Sequence, residues 1–187
     1  MAHDDDVDGG ELTDFLNRLA ARTPTPAGGS VAALCTAQAA ALVAMVARYC
    51  DTEELAERAE GLVDEAQRLM ADDERAFGAV AAAWKLPRGS EHDADRRAAI
   101  NDALLAASEP QARLVETAVD VLVLIDQLRH AAAPRPGLAS DLVAAAEVAR
   151  TASAIARMNV ESNVRTLPDS EERERLLRRM GVMKGRA

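Results

Sequence analysis

Apolar residues recur at helical spacing along almost the whole chain. Leu12, Phe15, Leu16 and Leu19 fall three and four apart, which predicts a short amphipathic helix over roughly Glu11–Arg22. The run Thr23-Pro24-Thr25-Pro26-Ala27-Gly28-Gly29-Ser30 ends it, because each proline holds the residue before it extended and the glycines permit close backbone approach. Ser30 is expected to cap the next helix, which runs from Val31 to Ala47 without meeting a charge until Arg48. A helix apolar on every side belongs in a membrane or at the centre of a bundle. About 17 alanine-rich residues, interrupted by Thr36 and Gln38, favour the bundle.

From Glu53 to Leu86 the seam Leu55, Ala59, Leu62, Ala66, Leu69, Ala76, Val80 and Ala83 predicts one long helix stopped by Pro87, with Asp73 lying on that seam. After the loop Pro87-Arg88-Gly89-Ser90, a further helix carries Ile100, Leu104 and Leu105, and Pro110 either kinks it or opens the next. Leu114, Ala118, Val121, Ile125 and Leu128 line the face that follows. Pro134-Arg135-Pro136-Gly137 reads as a loop, after which Ser140 is placed to cap a helix reaching about Leu167. A last charged helix, Asp169 to Met180, carries Asp169 and Glu172 at capping-box spacing and ends at Gly181. No repeat and no strand pattern stands out. The expectation is an all-α helical bundle with a central apolar helix, forming a single domain over 11–180 between flexible tails at 1–10 and 181–187. The small side chains of the central helix also suit close packing on a second subunit, so a homodimer is expected.

Composition agrees with helix: alanine is abundant, and the aromatics are only Phe15, Tyr49, Phe77 and Trp84. A net charge of -9 argues against nucleic acid as partner, since such proteins present a basic face. The first ten residues are acidic, with neither the basic head nor the apolar core of a secretory signal, so the expected place is the cytoplasm, with no membrane partner. Cys35 and Cys50 stand roughly 22 Å apart along one expected helix, too far to form a disulfide within one chain. His3, His92 and His130 are scattered, so no metal site is expected.

Asp73 is the first candidate for chemistry. It interrupts an apolar seam, and a buried charge is costly unless something pairs it or uses it; a partnered structural aspartate is the alternative. Asp141 lies just after Ser140, where a carboxylate could act on substrate or merely complement the helix dipole. Asn159 and Asn163 share one helix face a turn apart, suited to a ligand amide or to interhelical bonding. Gly28, Gly29 and Ser30 could present donors to a ligand or let two subunits meet closely. Tyr49, Phe77 and Trp84 read as core packing.

The loop Pro24-Thr25-Pro26-Ala27-Gly28-Gly29-Ser30, leading into an alanine-rich helix, resembles the signature of the cyclodeaminase/cyclohydrolase family of folate one-carbon enzymes. The likeness continues in order through Asp73-Glu74-Arg75-Ala76-Phe77, Trp84-Lys85-Leu86-Pro87, Ser140-Asp141 and Asn159-Val160-Glu161-Ser162-Asn163-Val164. Ala27 stands where the family carries a first glycine, Arg135-Pro136-Gly137 replaces an asparagine-proline-asparagine type loop, and Ser162 replaces an apolar residue. The resemblance implies a reduced folate as substrate, with no metal or redox cofactor. It implies Asp73, Asp141 and Lys85 as catalytic candidates, and Pro26, Gly28, Gly29, Ser30, Ser140, Asn159 and Asn163 as substrate-binding ones. The reaction implied is methenyltetrahydrofolate cyclohydrolase, preferred because no formiminotransferase domain is attached. Formiminotetrahydrofolate cyclodeaminase is the alternative, and a non-catalytic helical binding or assembly domain the further one. Asp73 and Lys85 are twelve residues apart, roughly 18 Å along a straight helix, so a site using both needs a long ligand or two subunits.

Overall fold

The computed structural model describes residues 10–131 and 136–182, all within or between helices. In order these are α1 (Gly10–Ala20), α2 (Gly28–Tyr49), α3 (Glu53–Trp84), α4 (Asp93–Ala131), a 3-10 turn at Pro136–Leu138, α5 (Ala139–Val164) and α6 (Glu171–Val182). No strand occurs among the described residues. The expected tails lie outside them, except that Gly10 opens α1 and Gly181 and Val182 close α6. Pro134 and Arg135 also lie outside.

Three helix starts differ from expectation. Ser30 does not cap α2: the chain is extended at Ala27 (φ -144°, ψ -159°) and already helical at Gly28, with no side-chain cap. Gly29 can enter the helix under close neighbours, and with the start moved back to Gly28 Ser30 is buried in the first turn. Ser140 does not cap α5 either. The 3-10 turn runs directly into that helix, and the Ser140 hydroxyl reaches only Gly137 O at 3.4 Å. For α6, the Ser170 hydroxyl accepts the Arg173 backbone N–H at 3.1 Å, while Asp169 pairs with the Arg173 guanidinium at 2.8 Å.

Pro110 lies inside α4, a single helix of 39 residues. Its missing N–H frees the carbonyl of Ala106, an exposed residue where water can take over the lost bond. α2 packs against α3 and α5 and more narrowly against α4; α3 pairs with α4, and α4 with α5. Alanines at 39, 40, 44, 47, 56, 59, 145, 146 and 149 let these backbones come close. Two clusters make up the core. One surrounds Val43, Val46, Ile125, Leu128 and Leu142; the other surrounds Leu69, Val80, Leu114, Val115, Val160 and Leu176. By length and composition α2 is apolar enough to cross a membrane, yet most of it is covered by its own bundle. Arg179 ties α6 to Glu109 at 2.6 Å and Glu116 at 2.8 Å. α1 buries nothing and is anchored by Arg18 to Glu74 at 2.9 Å.

Candidate active site

The second core cluster opens into a cavity where α2 begins. Gly29 faces α3 and α4 so closely that a Cβ there would overlap Gln111 Nε2 and the Asp73 carboxyl. Glycine is therefore required by space at position 29. At Gly28 the same Cβ would meet Asn159 at an ordinary 3.8 Å, so space imposes no such demand.

Asp73, 7% exposed, projects from α3 beneath this approach. Gln111 of α4 donates through Nε2 to Asp73 Oδ1 at 2.5 Å, and Asn159 of α5 donates through Nδ2 to Gln111 Oε1 at 3.1 Å. Three helices thus contribute to one relay. The Ser30 hydroxyl is buried without a hydrogen bond of good geometry, yet it stands near enough to Asp73 to favour its charged form. Burial pushes the Asp73 carboxyl above the ordinary aspartate range; Gln111 opposes that rise and the charge of Glu74 adds to it. A carboxyl poised in this way can take and return a proton.

The cavity measures about 460 Å³, within the range of small-molecule sites. Its polar end holds Asp73, Gln111, Asn159 and Asn163, and its apolar wall holds Phe77, Trp84, Ile100 and Leu104. Phe77 and Trp84 meet edge to face at 5.9 Å, so rings expected in the core line the cavity instead. Asp73, Phe77 and Trp84 follow one face of α3 over about 16 Å, a length suited to an extended ligand.

Of the residues selected from sequence, Gly28, Gly29, Asp73, Asn159 and Asn163 line the cavity, with Ser30 directly behind them. Pro26 is buried in the approach loop after a cis peptide from Thr25 and does not line it. Lys85 is exposed at the C-terminal cap of α3 and is not part of the wall. Ser140 and Asp141 are not brought to the cavity within one chain: Asp141 precedes Asn159 by 18 residues on α5, about 27 Å along the axis. Ala27 and Ser162, two departures from the family signature, do line the cavity. Gln111 escaped notice, although it lies three residues before Leu114 on the apolar seam of α4, the same signal that marked Asp73.

A profile of the formiminotransferase-cyclodeaminase family matches residues 11–181. The chain belongs to that family. Among relatives of the formiminotransferase-cyclodeaminase family, a methenyltetrahydrofolate cyclohydrolase from Methylorubrum extorquens is 36% identical over 110 residues, 52% of this chain and 53% of that protein. A formimidoyltransferase-cyclodeaminase from Mus musculus is 30% identical over 92% of this chain, which spans 34% of the mouse protein. The fold matches a crystal structure of formiminotetrahydrofolate cyclodeaminase from Thermotoga maritima with a TM-score of 0.81, at 24% identity, over 93% of this chain and 88% of that one. The chain therefore spans about half or less of the curated relatives it matches.

A larger open groove of about 790 Å³ runs between α4 and α5 past Val123, Arg129 and Arg150. It contains none of the residues selected from sequence. Among the described residues no group of three or more His, Cys, Asp or Glu is placed to hold a metal ion.

Proposed function

We propose that this protein is a folate one-carbon enzyme that hydrolyses 5,10-methenyltetrahydrofolate to formyltetrahydrofolate, with Asp73 as the proton-moving carboxylate. The observation that carries this reading is the buried Asp73 at the polar end of a ring-walled cavity, held by Gln111 under Gly29. A planar folate ring fits the apolar wall of Phe77 and Trp84, and its one-carbon bridge then meets the polar end. Asp73 takes a proton from the attacking water as the C–O bond forms at the amidinium carbon. As one C–N bond breaks with its electron pair going to nitrogen, Asp73 passes its proton to that nitrogen, the formyl C=O forms with loss of the hydroxyl proton to solvent, and one proton is released overall. General-base help of this kind contributes about 10²–10⁴-fold. Lys85 and Asp141 take no part in the reaction within one chain. The reaction runs without metal or redox cofactor, in the cytoplasm.

The assembly proposed is a homodimer around α2. Val31, Leu34, Cys35, Leu42 and Met45 form a half-covered stripe along that helix, with exposed Gln38 and Ala41 between them, and a second copy would complete its burial. A monomer on light scattering at micromolar concentration would contradict this. Cyclodeaminase is the second reading, favoured by the mouse relative's match over most of the chain. There the neighbouring folate nitrogen attacks the formimino carbon and ammonia leaves.

Turnover of methenyltetrahydrofolate by purified protein, read as loss of methenyl absorbance above the spontaneous rate, tests the first reading. Ammonia release from formiminotetrahydrofolate, measured in parallel, tests the second. Acceleration with one substrate selects the reaction; silence with both, from folded protein, overturns the enzyme reading in favour of a binding or assembly domain.

A further inference from the structure

Gln111 is 1% exposed, sits on the apolar seam of α4, and bonds at both ends of its amide to residues that line the cavity. When Asp73 is ionised, as the base of the proposed reaction must be, it has no hydrogen to give, and Gln111 then turns its NH₂ towards it. Its oxygen then faces Asn159, which can answer only with its own NH₂. The carbonyl oxygen of Asn159 is left over. With Asp73 ionised, the charge at one end fixes the order Asn159 to Gln111 to Asp73, which is the order of the hydrogen bonds observed.

We infer that Gln111 sets the hydrogen-bond polarity of the cavity, making Asp73 and Asn159 a pair of acceptors that hold a small molecule bearing two or more hydrogens on one atom. This rests on the reaction proposed above, and both of its versions handle such a molecule: water enters in hydrolysis, ammonia leaves in deamination. The bridging carbon of the methenyl group offers no N–H or O–H, so with that carbon at the polar end the two acceptors serve the water that attacks it. In hydrolysis the two acceptors take the hydrogens of water and leave a lone pair free to form the C–O bond. Asp73 receives one proton as that bond forms. Gln111 touches no reacting atom and is a positioning residue. Glu74 is the other charge acting on Asp73, and it lies on the same helix; α2 presents Gly29 and Ser30 there, and α4 presents Gln111.

The test titrates Asp73 directly, by carbon NMR of labelled aspartate in the substrate-free full chain, beside the pH dependence of kcat and KM. Gln111→Met removes the donor at nearly constant volume. Asp73 is expected to titrate at higher pH than in the wild type, the acid limb of kcat to move up with it, and kcat to fall about 10²-fold with KM unchanged. Gln111→Glu, a second variant in case the first folds poorly, raises the Asp73 titration through repulsion. Asn159→Leu cuts the far link and is expected to lower kcat while leaving the Asp73 titration in place. An unmoved Asp73 titration in both Gln111 variants, or a rise in KM at constant kcat, overturns the inference. If the wild type turns over neither folate, the reaction falls, and the titration by itself still decides whether Gln111 governs Asp73.

Discussion

Asp73 and Asp141 both match the family pattern and both sit on long helices, yet they differ in what decides whether a carboxylate can do proton chemistry. Asp73 is buried beside an apolar ring-lined cavity, under a glycine that leaves no room for a side chain, and it accepts a bond from a buried amide. Asp141 occupies the first turn of α5, half-buried, behind a 3-10 turn whose Gly137 has nothing among the described residues within 4 Å of where a Cβ would stand. There a carboxylate complements the helix dipole whether or not a ligand is near. Membership of a motif assigns a residue to a family. Burial, close approach and a directed hydrogen bond are what assign it work.

Exchanging the glycines at the two ends gives the largest contrast. Gly29→Ala drives a methyl group into Gln111 and Asp73, so turnover should fall by about 10²-fold or more. Stability should drop by about 1–3 kcal/mol, the usual penalty of overpacking. Gly137→Ala, which meets none of the described residues, should leave stability within about 0.5 kcal/mol and turnover untouched. Denaturant melts and initial rates on the two variants check both halves. Equal losses at the two positions would erase the distinction between the ends.

The second contrast is smaller and concerns stability against pH. The folded Asp73 carboxyl binds its proton more tightly than in the unfolded chain, because burial raises it. Its contribution to stability is therefore fully present below the unfolded aspartate range and is lost as pH rises through the folded value. Wherever Asp73 is ionised, its buried charge is a burden on the fold. Asp73→Asn should raise Tm by a few degrees above the pH at which Asp73 ionises and bring no gain at low pH, whereas Asp141→Asn should lose about 0.3–1 kcal/mol of dipole stabilisation. Thermal melts across pH decide it; an Asp73→Asn protein destabilised at neutral pH would show a carboxylate that the fold needs charged.

The helices and the approach loop were legible because their signals are local: periodic apolar positions, proline and glycine at the breaks, and Asp73 out of place on its seam. The caps were misplaced where close packing outweighed local preference, as at Ser30, which Gly29 carries into the interior, and at Ser140, where a 3-10 turn feeds straight into α5. Pro110 left two readings open, since only the exposure of Ala106 shows that one continuous helix can tolerate it. Gln111 was legible in principle, as a polar residue on an apolar seam, but its partners lie 38 and 48 residues away and no spacing announces them. Phe77 and Trp84 show the same limit from the other side: helical spacing puts them on one face, and only the packing of α4 and α5 around that face decides that it borders a cavity.

In the proposed reaction Asp73, and not Asp141, moves the proton. The most direct test is the rate of folate turnover by Asp73→Asn and Asp141→Asn side by side, each shown to be folded, on whichever of methenyl- or formiminotetrahydrofolate the wild type accepts. Asp73→Asn is expected to lose about 10²–10⁴-fold and Asp141→Asn to keep a near-normal rate. A near-normal rate in Asp73→Asn, or an equal loss in Asp141→Asn, would contradict it.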